Sequence, residues 1–155
     1  MLTRREALLT AAAGVLVAGC GGRPARTVAG DPRDIRILAA ALEEERKQVA
    51  LYEAGLKLGD SPTVRTILKH QRAHAAGLEE AIRDLGGTPP PARPIARYAL
   101  HQDFDAWKQD AINAEQQWSA GYAATIPKLA NPRLRATFGA LMTSEAEHAV
   151  ALDVT

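Results

Sequence analysis

The sequence predicts an all-α fold, an antiparallel four-helix bundle with one long crossover between its second and third helices. Three observations carry that expectation. Ala, Leu, Glu and Arg are abundant and β-branched residues sparse over 155 residues, a composition that favours helix. Apolar residues recur at alternating steps of 3 and 4 in four stretches, the spacing of one helix face. Between those stretches stand Asp-Pro, Ser-Pro, Gly-Gly and Asn-Pro, which start or stop helices. The formal net charge is +1, and basic and acidic residues balance once Arg4, Arg5 and Glu6 are set aside. That balance gives no footprint for nucleic acid, which needs a basic excess on one face. A single Cys rules out an intrachain disulfide framework.

Residues 1–19 read as an export signal. Thr3-Arg4-Arg5-Glu6 precedes an apolar run from Ala7 to Ala18. The run is shorter than the roughly 20 apolar residues of a membrane-spanning helix. The paired arginines resemble a twin-arginine export signal, although Ala7 stands where that motif often has Phe. Val17-Ala18-Gly19-Cys20 resembles a bacterial lipobox. That resemblance implies cleavage before Cys20, a lipid on Cys20, and anchoring at the extracytoplasmic face of the cell membrane. The alternative is a plain secretory signal with an incidental Cys. Residues 20–32 are glycine- and proline-bearing, lack an apolar period, and form the expected flexible tether. The bundle then occupies residues 33–155.

The first helix is expected from Arg33 to Leu58, with Asp31 and Pro32 as N-cap and first helical residue. Its apolar face reads Ile35, Leu38, Leu42, Glu45, Val49, Tyr52, Leu56. Ser61-Pro62 repeats the start signal for a second helix to Leu85, closed by Gly86-Gly87. The face of this helix reads Val64, Ile67, Leu68, Gln71, His74, Ala75, Leu78, Ile82, Leu85. Residues 88–100 include Pro89-Pro90-Pro91 and Pro94, which exclude helix, and the segment far exceeds an ordinary helix–helix loop. It suits a crossover along the length of a bundle. The third helix is expected from Gln102 to Thr125, facing inward with Phe104, Lys108, Ala111, Glu115, Trp118, Tyr122 and Thr125. Pro127 breaks or kinks its end. Asn131-Pro132 starts a fourth helix to Leu152, whose face is Leu134, Phe138, Leu141, Glu145, His148, Leu152.

The two halves repeat. Glu45 and Tyr52 recur 70 residues later as Glu115 and Tyr122, and Ser61-Pro62 as Asn131-Pro132. Gln71 and His74 recur 74 residues later as Glu145 and His148. The four extra residues are about one helical turn, which keeps the face. Each apolar face thus carries a long polar residue near its middle. Burying a charge without a partner is expensive, so this polar layer needs a reason. A metal ion is one, and a buried hydrogen-bonded network without metal is the other.

Glu45 to Tyr52, His70-Gln71-Arg72-Ala73-His74, Glu115 to Tyr122 and Glu145-Ala146-Glu147-His148 together resemble the ligand motifs of the ferritin-like superfamily. The resemblance spans about residues 34–152. It is closest to exported bacterial ferritin-like lipoproteins, including domains of unknown function. Arg97-Tyr98-Ala99-Leu100 is similar to their linkers. A Glu from each of two helices with Glu-x-x-His from each of the other two holds two iron or manganese ions in such proteins. The resemblance therefore implies Glu45 on one metal, Glu115 on the other, Glu145 as bridge, and His74 and His148 as nitrogen donors. Gln71 departs from the pattern, which expects Glu there. It reads better as a core amide than as a ligand. The site is accordingly dinuclear and weakened, mononuclear, or vestigial. The implied function is a membrane-anchored non-haem iron or manganese protein that oxidises metal or handles peroxide. The alternative is a non-catalytic envelope module with a degenerate site. An apolar ligand carrier has no residue speaking for it, and no signal for a ferritin cage is present.

His70 stands four residues before His74, the spacing of a two-histidine metal site, but it falls off the apolar face and is expected as a solvated edge histidine, and His101 as an exposed residue at a helix start. Tyr52, Trp118 and Tyr122 are expected to fill core layers. Glu43, Glu44, Glu79, Glu80 and Glu147 fall on the solvated side.

Overall fold

The computed structural model describes residues 30–93, 101 and 103–154. The expected export signal, Cys20, most of the expected tether and Arg97 to Leu100 lie outside the described residues. The helices are α1 (Pro32–Leu58), α2 (Pro62–Asp84), α3 (Phe104–Thr125) and α4 (Pro132–Asp153), with a 3-10 turn at Ile126–Lys128 where Pro127 ends α3. No helix among the described residues is long and apolar enough to cross a membrane.

The helix starts follow the capping chemistry expected of their residues. Asp31 accepts from Arg33 N at 2.7 Å, Asn131 from Arg133 N at 2.9 Å, and Ser61 from Val64 N, each just before a proline in the first turn. Gly86 ends α2 at φ +78°, with Gly86 N bonded to Arg83 O and Gly87 N to Ile82 O. That pair of bonds is a Schellman cap, and its left-handed residue favours glycine.

The chain ends of the helices fix the topology. Gly30 N donates to Leu85 O at 3.0 Å, joining the start of α1 to the end of α2. Asp34 accepts from Ala130 N and Asn131 N, both at 2.9 Å, so the α3–α4 corner lies beside the start of α1. Gly59, after α1, lies against the Phe104 ring that opens α3. So α1 is antiparallel to α2 and α3, and α4 to α3 and α2. The end of α2 and the start of α3 therefore lie at opposite ends of the bundle. Arg46 holds the first part of the segment between them, donating to Pro90 O at 2.9 Å and to Glu79 at 2.8 Å.

Two apolar clusters fill the interior. One gathers Leu38, Leu42, Leu78, Ile82, Tyr122 and Phe138. The other gathers Leu51, Tyr52, Ile67, Trp107, Ala111 and Leu152. On each helix the polar layer lies between the residues given to the two clusters: Glu45 and Gln48, Gln71, Glu115, and Ser144, Glu145 and His148.

The buried faces depart from the expected ones most on α1 and α3. On α1, Ile35, Val49 and Leu56 are only half-buried, while Asp34, Ala41, Gln48, Leu51 and Gly55 are buried. On α3, Trp107 is fully buried and Trp118 only half-buried. Gly55 explains the first of these, because a Cβ there would stand 2.2 Å from the Trp107 ring. Trp107 Nε1 then donates to Leu51 O at 3.0 Å. Lys108 is half-buried beside it, in keeping with a lysine that runs its stem over apolar surface.

Candidate metal centre

Glu45, Gln71, Glu115 and Glu145 are each fully buried, one from each helix. His148 is buried as well, and His74 is 15% exposed at its side chain. The ligand atoms of Glu45, His74 and Glu145 lie within 4.8 Å of one another, and so do those of Glu115, Glu145 and His148. Glu145 belongs to both groups. His74 Nδ1 is 3.2 Å from Glu145 Oε1 and 3.5 Å from Glu45 Oε2. His148 Nδ1 is 3.3 Å from Glu145 Oε2 and 3.6 Å from Glu115 Oε2. The structure thus brings together all five residues expected as ligands.

The duplication appears as a reciprocal bond pair. Tyr52 of α1 donates to Glu115 of α3, and Tyr122 of α3 donates to Glu45 of α1. The shared spacing of seven in an antiparallel pair makes each tyrosine reach the other half's carboxylate. Both rings also fill core, Tyr52 edge-on to Trp107 and Tyr122 edge-on to Phe138. Burial first, then the neighbouring carboxylates, push both phenols above their usual range, so they remain donors.

Gln71 straddles the two groups. Its Oε1 faces His74 Nδ1 at 3.1 Å. Its Nε2 donates to Glu145 Oε2 at 2.8 Å and Glu115 Oε1 at 3.1 Å, and lies 3.3 Å from His148 Nδ1. The amide therefore offers an oxygen to the Glu45–His74–Glu145 half and a donor to the Glu115–Glu145–His148 half. The expected core amide completing a network is what the geometry contains.

Charge is unevenly held in this layer. Burial drives Glu115 well above the usual carboxylate range, and the adjacent Glu145 adds to it. Burial also raises Glu45, against the pull of His74. For Glu145 burial is outweighed by hydrogen bonding from Glu115, His148 and His74, which holds it below the usual range. Burial would lower His74, but its bonds to Glu145 and Glu45 raise it to about 10. Burial thus favours the neutral form of Glu115, while hydrogen-bonded partners favour the charged forms of His74 and Glu145.

His70 corrects its expectation. It is half-buried, not solvated, and its Nδ1 lies 3.0 Å from His148 Nε2. Ser144 Oγ lies 3.3 Å from the same nitrogen. The repeat was the available signal: the offset of 74 that relates Gln71 to Glu145 also relates His70 to Ser144. His101 is likewise half-buried, 3.5 Å from Asp110. Gln48 was missed as well, because an amide three residues from Glu45 breaks no apolar period.

The residues fit a pair of cations. Glu45 Oε2, Glu115 Oε2 and Glu145 Oε1 are buried and reached by no well-aligned donor, only by the imidazoles of His74 and His148 at 3.2–3.6 Å. Such oxygens are costly unless something positive meets them. Each carboxylate contributes one, and they belong to the two groups that share Glu145.

An all-helical bundle with a carboxylate–histidine layer at mid-height defines a class of protein, and the sequence comparison agrees with it. Residues 33–155 match the family model described as the ferritin-like domain, and the chain belongs to that family. No curated protein and no solved structure matches it.

Proposed function

We propose that this domain binds two iron or manganese ions and is a membrane-anchored oxidase of metal or a peroxide-handling protein. The observation that carries the reading is the pair of carboxylate–histidine groups sharing Glu145, each with a buried carboxylate oxygen that faces an imidazole nitrogen and no well-aligned donor. Glu45 and His74 would hold one ion, Glu115 and His148 the other, with Glu145 between them. When bound, such ions supply two-electron redox chemistry toward oxygen or peroxide.

The chain's own residues do the rest. Tyr52 and Tyr122 orient Glu115 and Glu45 by donating to one oxygen of each, leaving the other oxygen free to ligate. The apolar clusters on either side keep bulk water from the layer. His74 and Glu115 give up protons as the layer takes on positive charge. Gln71 makes the halves unequal, since its Nε2–H competes with a cation in the Glu115 half. Anchoring rests on the lipobox resemblance around Cys20, and a twin-arginine route would let the domain fold and load metal before export.

A second reading has its own observation. Gln71 closes a network through Glu115, Glu145 and His74 without a metal, as a degenerate site in a non-catalytic envelope module would. Metal analysis of protein purified without chelator separates the two. The first expects up to two equivalents of iron or manganese, lost in Glu145→Ala. No metal, together with melting unchanged by added iron, supports the second.

A further inference from the structure

Gln48 is fully buried on α1, and neither its Oε1 nor its Nε2 has a hydrogen-bond partner. No other fully buried amide among the described residues is in that state. Native proteins seldom leave a whole buried amide unpaired, because each unmet group costs free energy. The position is informative. Gln48 shares the inward face of α1 with Glu45 and Tyr52, one turn from each. The Tyr122–Glu45 and Tyr52–Glu115 bonds tie α1 to α3 on either side of it. The oxygens without a well-aligned donor, Glu45 Oε2 and Glu115 Oε2, belong to the same two carboxylates.

Ions in the layer account for those oxygens, but not for Gln48. A cation can use only the amide oxygen, and Nε2 still carries two N–H donors. A donor is satisfied by an acceptor, and carboxylates engaged by metal have less to offer. We infer that Gln48 donates to a small exogenous anion or oxygen ligand held at the metal centre on its α1–α3 side. This rests on the dinuclear reading above. The ligand class is a compact acceptor of the size of hydroxide, peroxide or azide, because apolar clusters close the layer on both sides. His74 and His148 enter the layer from α2 and α4 and Gln48 from α1, so the amide stands on a side that neither imidazole takes.

The test uses cobalt(II) and azide on the purified protein. Azide binding to the cobalt-loaded protein is followed by visible absorption for wild type and Gln48→Met, a near-isosteric change. The inference expects the same cobalt stoichiometry and azide affinity weakened roughly tenfold to a hundredfold, as for a lost bond to a charged acceptor. It also expects metal-free Gln48→Met to melt at or above the wild-type temperature, since an unpaired buried amide is removed. Gln48→Leu provides a second apolar replacement with the same expectations. Unchanged azide affinity in cobalt-loaded Gln48→Met overturns the inference and leaves the dinuclear reading standing. A lower melting temperature in both metal-free variants also overturns it, because Gln48 would then be a packing residue. Wild type that binds no cobalt overturns the dinuclear reading and this inference with it.

Discussion

Gln71 donates through Nε2 to Glu145 Oε2 at 2.8 Å, so a hydrogen-bond donor stands against the carboxylate shared by both halves of the centre. The same nitrogen reaches Glu115 Oε1 at 3.1 Å. In most ferritin-like motifs a carboxylate is expected here. The exchange trades charge for a donor, which steadies the metal-free layer and weakens one half of it for cations.

Gln71→Glu should reverse that trade. The metal-free variant should lose roughly 2 kcal/mol, because a fourth buried carboxyl replaces a donor beside Glu115 and Glu145. Affinity for the second cation should rise by about tenfold or more, since the added charge offsets that of the ion. Denaturant unfolding and metal titration of the two proteins check both signs.

The tyrosine pair gives a symmetric test. Tyr52→Phe removes the donor to Glu115, and Tyr122→Phe the donor to Glu45. Each should cost roughly 1–3 kcal/mol in the metal-free protein, because a buried carboxyl loses a donor. The double variant should depart from the sum by roughly 0.5–3 kcal/mol, since both carboxyls belong to one network through Glu145. Urea unfolding of the four proteins measures the cycle.

Stability of the metal-free protein should fall as pH rises above neutral. His74 titrates near 10 in the fold against about 6.5 unfolded, so its contribution is complete below 6.5 and lost as pH climbs toward 10. Glu115 and Glu45, both held above the usual carboxylate range, act in the same sense. Metal binding should release protons from these groups, so affinity should increase with pH. Melting at pH 6 and pH 9, and calorimetric titration in buffers of different ionisation enthalpy, read the two effects.

His70→Leu should weaken metal binding in the Glu115–Glu145–His148 half. His70 Nδ1 stands at the outer nitrogen of His148, where a partner fixes the ring so that Nδ1 faces the carboxylates. Loss of such a partner typically costs 10- to 100-fold in affinity. Titration should show the second cation weakened and the first little changed, with His70→Asn retaining part of the effect.

How much of this was legible in the sequence depended on what set each position. The α4 face, Leu134 to Leu152, is buried as its period predicts, because that helix packs on its neighbours without interruption. The ligand layer was legible because duplicated Glu and His stand out in apolar faces. Asp34 was not, since its burial is set by Ala130 and Asn131, about a hundred residues away. Trp107 is buried because Gly55 on another helix leaves its ring room. Gln71 was visible as a substitution, but which half its oxygen faces is decided only in three dimensions. His70 and Gln48 follow no apolar period and needed the packed bundle to be seen.

Equilibrium titration of metal-free protein with iron(II) under anaerobic conditions tests the central claim most directly. Two equivalents of unequal affinity should bind, and Glu145→Ala, which removes the residue shared by both groups, should abolish both. Binding of no iron by the wild type, or two equivalents retained by Glu145→Ala, would contradict it.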